Sequence, residues 1–223
     1  MGAEYTMSNK ALGKRVLAHA EKAKAVSPDQ YGCQKNHTAI NACLNKVLLM
    51  DAMRQKFQSG AIAMNDAKGC FDRINHTFAI LVLMSFGVSA VLAQPLFETF
   101  QTTDHHIKTG YGRSDKAYGN NDKPEPHQGI GQGNGLGPTL WALLSFILIK
   151  NMKRHGHGVK LRSALTLSLV SIVCFAFVDD TDLVISGKSL LSTGEEVCEE
   201  FQPAVDRWSR SLIVSGGALC PLK

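Results

Sequence analysis

With 223 residues, 44% of them hydrophobic and 19% charged, the chain has enough material for a domain-sized core and lacks the composition of a disordered segment. The net charge is +5, and residues 1–60 carry the whole surplus, nine Lys/Arg against four Asp/Glu, while the rest holds fifteen of each. A basic segment beside a neutral body fits a surface that grips a polyanion, or a solvated helix face rich in lysine.

In chain order, residues 10–26 predict an amphipathic helix, with Leu12, Val16 and Leu17 on one side and Lys/Arg on the other. Ser27-Pro28-Asp29 stops it. Residues 37–57 predict a second helix, because Ile40, Leu44, Val47 and Leu48 recur at helical spacing, and Ser59-Gly60 ends it. The period then changes. Residues 61–64 are apolar, too few for a helix and suited to a buried strand, which delivers Asn65-Asp66 at its end. Residues 71–86 resume a helical pattern that Gly87 terminates, and Pro95 to about Lys108 predicts another helix. Residues 109–127 are polar, with Gly, Asn, Asp and Pro clustered at 119–126, and predict a loop.

Residues 128–138 place glycine at every second position, and Pro138 then opens a helix over 139–153. The glycines do not suit a dinucleotide or P-loop site, since they alternate by two and no Lys-Ser/Thr follows. Residues 165–178 read as a strand, 179–182 as a turn and 183–186 as the partner strand. Residues 194–214 predict a helix that Pro203 breaks or kinks. The apolar stretches 78–93, 140–149 and 165–178 are all shorter than the ~20 residues of a spanning helix, and the last runs into two aspartates, so no membrane partner is expected. The N-terminus carries no visible secretory signal, and the six cysteines form no CxxC pair, which predicts an intracellular, reducing compartment, nucleus or cytoplasm. Zinc is disfavoured, because His105-His106 and His155/His157 lack Cys partners at finger spacing.

The sharpest feature is Phe177-Val178-Asp179-Asp180, a long apolar strand ending in two adjacent carboxylates. Adjacent aspartates repel and are poor strand formers, so a bound cation is one reason for them. A plain polar hairpin turn is the other, since Asp is common there. The strand at 61–64 brings Asp66 to a comparable place. Three carboxylates on adjacent strand ends can hold two Mg²⁺ ions about 3.5–4 Å apart, the arrangement of polymerases and nucleases.

The order of these segments resembles the reverse transcriptase palm, in the style of retroelements without long terminal repeats or of group II introns. Residues 62–72 resemble its first motif, a strand followed by D-x-x-x-[AC]-[FY]-D. Residues 128–138 resemble the glycine-rich second, 175–180 the third, [FY]-x-D-D, and 215–223 the fourth, a glycine turn before N-P-x-K. Tyr31-Gly32 and Thr38-Ala39-Ile40 resemble the fingers segment before the palm. The match runs from about residue 30 to the end. It implies an α+β polymerase palm, a small antiparallel sheet backed by helices. Residues 1–60 would be a partial, helical and basic fingers region, and 61–223 the palm, with an intervening fingers or loop segment at about 87–127. It further implies an RNA-directed DNA polymerase acting on an RNA template, a DNA primer and a dNTP. The primer 3′-hydroxyl would attack the α-phosphate in line, with two Mg²⁺ ions, or Mn²⁺, as cofactor. Asp66 and Asp179 would be the principal metal ligands and Asp180 the adjacent acidic member. Ala67, Phe71, Gln132 and Gly133 would bind the nucleotide. The Phe71 ring would leave no room for a 2′-hydroxyl, although a core Phe at the start of a helix is its plainer reading. Lys223 would be the general acid for the leaving pyrophosphate. Lys10, Lys14, Arg15 and Lys35 would contact template or triphosphate without reading sequence.

The sequence departs from the family pattern at Gly137, where Ser is usual, and at Cys220, where Asn is usual. The thumb is expected to be absent, which makes the chain a fragment of a longer polyprotein or a decayed copy of a mobile element. Two further readings stand beside the polymerase. One is an inactive or domesticated remnant that at most binds nucleic acid, which the intact trio Asp66, Asp179 and Asp180 disfavours. The other is a two-metal nucleotide cyclase, which the glycine-rich segment between the carboxylate elements disfavours.

Overall fold

The computed structural model describes residues 3–117, 128–131, 133–163, 165–189 and 191–220. In chain order they form α1 (Ala3–Lys22), α2 (Ala39–Gln55), β1 (Gly60–Asn65), α3 (His76–Ser85), α4 (Ala90–Thr102), β2 (Lys108–Thr109) and β3 (Gly112–Arg113). Then follow α5 (Gly137–Arg154), β4 (Val159–Arg162), β5 (Leu169–Ile172), β6 (Cys174–Phe177), β7 (Asp180–Ser186) and α6 (Gly194–Val214). The helix starts are written in local side chains. Thr38 with Asn41, and Thr193 with Glu196, form reciprocal capping boxes at α2 and α6, and Asn75 caps α3. Pro138 sits in the first turn of α5, where its missing N–H costs nothing.

The central sheet is antiparallel in the order β1-β7-β6, and two small hairpins, β2-β3 and β4-β5, stand apart from it. Residues Asp29–Tyr31 extend the β6 edge, with Tyr31 N–H donating to Ala176 O at 2.7 Å and Ala176 N–H donating to Asp29 O at 2.9 Å. Alternation along the strands divides the core in two. Ala61, Ala63, Leu183, Ile185, Cys174 and Ala176 face the main core, built around α5, from which Leu140, Leu143, Leu144 and Ile149 are fully buried. Ile62, Val184 and Phe175 face the other way, against Ala42, Leu49 and Met53 of α2. The result is an α+β fold with a small antiparallel sheet and helices against both faces.

Several expectations are corrected. The helix read over 10–26 starts earlier and ends at Lys22. That read over 71–86 occupies only His76–Ser85, because residues 66–75 form turns whose backbone bonds to 215–218 and 129–130. The helix expected from Pro95 to Lys108 is α4, and Pro95 lies inside it; neighbouring Val91 and Leu92 are exposed, so water can serve the carbonyl that Pro95 cannot bond. Pro203 leaves α6 unbroken for the same reason, being on its exposed side. The loop at 109–127 contributes to the β2-β3 hairpin, and 118–127 lie outside the described residues. The single strand at 165–178 is two strands interrupted at Val173, whose N–H donates to the buried Asp29 carboxylate at 2.9 Å. Strand β4, which pairs with β5, was not foreseen. The apolar side of α2 also differs: Ile40, Leu44, Val47 and Leu48 are exposed, and Ala42, Leu49 and Met53 do the packing.

Candidate carboxylate site at the end of the central sheet

The register fixes which side chains meet. Met64 pairs with Asp182 and Asn65 with Thr181 across β1-β7, so Asp66 is the next residue along, beside Asp180. Across β6-β7, Phe177 pairs with Asp180, which leaves Val178 and Asp179 as a two-residue hairpin turn. The turn is therefore Val178-Asp179, and Asp180, Thr181 and Asp182 belong to β7, not to a turn over 179–182. Thr181 points inward and is buried. Asp66, Asp180 and Asp182 line one cleft of about 390 Å³ with Met64, Phe175, Phe177 and Lys46.

Asp179 lies on the turn itself, half-buried, with Oδ2 3.6 Å from the Cys70 Sγ. Cys70 is four residues beyond Asp66, so this contact ties the turn to the segment that follows β1. Burial, then the charge of Asp179, pushes the Cys70 thiol up to about 12, so it stays protonated as a weak donor. Burial raises the Asp180 carboxyl above its ordinary value, and the negative charges of Asp179, Asp66 and Asp182 push it the same way. Three carboxylates thus bear on Asp180. Lys46 reaches in from α2 and bonds Asp182 Oδ2 at 2.6 Å, an ion pair that also raises the Lys46 pKa.

Backbone strain marks the turn. Val178 has φ +59, a left-handed conformation that a β-branched residue rarely adopts. Its peptide groups are gripped by the core. Trp141 Nε1–H donates to Val178 O at 2.7 Å, and the Gln30 amide bonds both Val178 N–H and Val178 O at 3.1 Å.

The remaining residues fall at varied places. Ala67 is buried, with its neighbour Lys68 N–H donating to Ala218 O at 2.9 Å and Cys220 N–H donating to Asp66 O at 2.9 Å. The C-terminal segment therefore runs alongside Asp66–Lys68. Phe71 is half-buried against the main core, and its carbonyl accepts from Ile130 N–H at 2.9 Å. The glycine-rich segment docks here: Gly129 has φ +80, and a Cβ on it would lie 2.5 Å from the Asp72 backbone. Gly137 lies against the Phe71 ring, which a Cβ there would meet at 3.5 Å, an ordinary contact. Gly133 is exposed, with φ +86. Gln132 and Lys223 lie outside the described residues. Among the described residues no group of three or more His, Cys, Asp or Glu is arranged to hold a metal ion, and no helix is long and apolar enough to cross a membrane.

Sequence reasoning missed Asp182, Lys46, Gln30 and Trp141. Asp182 had a signal, being two residues past Asp180 in a strand of period two. Gln30 had none, since Ser145 and Val178, which it holds, are distant in sequence.

A sequence model of the family described as "Reverse transcriptase (RNA-dependent DNA polymerase)" matches residues 2–212. Among solved structures, the telomerase from Candida albicans, in complex with a TWJ fragment of telomeric RNA, has a TM-score of 0.52 and 12% identity, covering 94% of this chain and 33% of that chain. At that identity the likeness is one of fold, and the chain spans about a third of that telomerase chain. No curated protein matches the chain.

Proposed function

The chain belongs to the reverse transcriptase (RNA-dependent DNA polymerase) family, and from that premise we propose that it is the fingers-and-palm part of an RNA-directed DNA polymerase, in the style of mobile elements without long terminal repeats or of group II introns. It would join a dNTP to a primer 3′-hydroxyl on an RNA template. The observation that carries the reading is the meeting of the β1 end with the β6-β7 turn, where Asp66 and Asp180 share a cleft and Asp179 and Asp66 both act on Asp180.

Residues 1–60 are assigned to a partial fingers region and 61–223 to the palm, with an intervening fingers or loop segment at about 87–127. In support, α1 and α2 precede the sheet and pack on α5 and β6 respectively. The donor set at the sheet end is carboxylate oxygen, which suits Mg²⁺ or Mn²⁺. Mg²⁺ keeps several waters and substrate phosphates as ligands, so it does not need a closed protein cage. Burial comes first in raising Asp180, and the negative charges of Asp179, Asp66 and Asp182 that add to it also favour a cation there. Asp66 and Asp179 would be the principal ligands, with Asp180 beside them. When bound, such ions supply charge stabilisation to the transferring phosphoryl group and lower the pKa of the attacking hydroxyl. The chain's own residues supply the frame. The turn fixes Asp179, β1 fixes Asp66, and Phe71 is the residue that would lie under the sugar of the incoming nucleotide. Gly133, with no side chain, leaves the backbone open to close approach by that nucleotide.

The test is Mg²⁺-dependent incorporation of dNTPs on a primed RNA template by wild type, Asp66→Ala and Asp179→Ala. The reading expects a loss of about 10³-fold or more in both variants, the scale of a lost transition-state charge stabiliser. Incorporation indifferent to Asp179 contradicts it. A second reading, a relative that only grips nucleic acid, draws on the basic surplus of residues 1–60. It expects salt-sensitive RNA binding with no incorporation at all.

A further inference from the structure

Gln30 lies in the segment that extends the β6 edge, and it is fully buried. Its side-chain amide uses its whole hydrogen-bonding capacity of two donors and two acceptor lone pairs. Nε2 donates to Val178 O at 3.1 Å and to Ser145 Oγ at 2.9 Å. Oε1 accepts from Val178 N–H at 3.1 Å and from Gly32 N–H at 2.8 Å. One side chain thus holds both polar groups of a single turn residue and anchors itself to α5 through Ser145.

That residue is Val178, held at φ +59 immediately before Asp179. A two-residue turn leaves the N–H and C=O of its first residue outside the strand ladder, where a looser environment would let the peptide rotate. Such strained conformations persist only where the surroundings over-determine them. The surroundings here are Gln30, on both groups, and Trp141, which shares Val178 O at 2.7 Å. No other side chain type reproduces the grip: Glu lacks the donors, Met lacks both, and Asn is a methylene too short.

We infer that Gln30 is a positioning residue that clamps the Val178 peptide groups and so fixes the direction in which the turn presents the Asp179 carboxylate. The inference rests on the proposed role of Asp179 for its consequence in catalysis, but the clamp itself can be measured without any activity.

The experiment compares wild type with Gln30→Met, which keeps the volume and removes the polar atoms, and with Trp141→Phe, which removes the other donor to Val178. Hydrogen exchange at the Val178 amide is the first readout. The clamp predicts exchange at least about tenfold faster in Gln30→Met, with the amides of α5 and β7 unchanged, as expected when one local bond opens rather than the whole fold. In Trp141→Phe the Val178 amide should keep most of its protection, since its own acceptor is Gln30 Oε1. The second readout is single-turnover incorporation, where Gln30→Met is expected to lower kcat by about 10–10²-fold with KM for the dNTP little changed.

Faster exchange spread evenly over the molecule would make Gln30 a general stability residue and overturn the inference. Unchanged exchange at Val178 would overturn it as well. If Gln30→Met does not fold, a Val178 amide in the wild type that exchanges no more slowly than those of exposed turns overturns it, and one protected to the level of the core supports it. If wild type incorporates nothing, the polymerase reading fails while the exchange result still decides the clamp.

Discussion

Gly32 stands beneath the turn, and replacing it by alanine pushes on the clamp directly. A Cβ built there lies 2.5 Å from Val178 N, 2.8 Å from Val178 Cγ2 and 3.0 Å from Gln30 Oε1. Gly32 has no left-handed backbone, so alanine suits the local conformation and the cost is steric. Ordinary contact begins near 3.4 Å, so the turn or the 29–32 segment must move by about 0.9 Å, a large step in a close-packed interior. Overpacking of this kind costs about 1–3 kcal/mol. The smaller conformational freedom of the unfolded alanine chain returns about 0.4–1 kcal/mol. The net loss, at most about 2.6 kcal/mol, leaves a domain of ordinary stability folded. Catalysis is less tolerant, since a misplacement of about 1 Å can cost about 10²-fold. Urea denaturation gives the first quantity, and primer extension on RNA at saturating dNTP gives the second. Gly32→Ala that matches wild type in extension would refute the reasoning, because it would mean that the turn can shift without consequence for Asp179.

Four further outcomes are expected. Lys153→Met should destabilise by about 2–4 kcal/mol in urea titration, since it strips the 2.8 Å ion pair from Asp29, which is 4% exposed; the partial exposure of Lys153 keeps the figure below the full cost of an unpaired buried charge. Adding Asp29→Asn should restore part of the loss. Asp180→Asn should raise the melting temperature at pH 7, by no more than about 1 kcal/mol in stability for a largely exposed carboxylate. The sign follows from linkage. A folded pKa raised above the unfolded value gives stability that is present below that value and lost as pH rises through the folded pKa, so the gain from asparagine should vanish near pH 3. A gap that is equal at both pH values would contradict it. Iodoacetamide on the native protein should label the exposed Cys43 and Cys198 and spare Cys70, whose thiol is buried and pushed up to about 12. Phe71→Ala should raise ribonucleotide incorporation relative to deoxyribonucleotide by about tenfold or more, measured as a ratio of kcat/KM.

Much of the fold is local in origin and was readable. The capping residues Thr38, Asn75 and Thr193, Pro28 and Pro138, and the change of period at Ala61 all act over a few residues, whereas Pro95 and Pro203 lie inside helices. Where the reading failed, a distant partner had decided. Asp179–Asp182 has the composition of a turn, but pairing with β1 pulls Asp180 and Asp182 into β7, and only Val178-Asp179 is left to turn. Val173 looks like mid-strand until the Asp29 carboxylate, far away in sequence, takes its N–H. Periodicity in α2 announced a helix but not which side would pack, since apolar residues surround it on all sides. At the site, the aspartates were visible as residue types at strand ends. Of the frame that aims them, Cys70 falls within the 62–72 motif, while Gln30 and Trp141 come from other segments and leave no local trace.

The central claim is that Asp66 and Asp179 hold the ions that serve nucleotide addition. Crystals of the protein with primed RNA template, a non-reactive dNTP analogue and Mn²⁺ test it most directly, through the anomalous scattering of the metal. The account predicts Mn²⁺ peaks coordinated by the carboxylates of Asp66 and Asp179 and by the triphosphate. A bound nucleotide with Mn²⁺ away from both aspartates would contradict it.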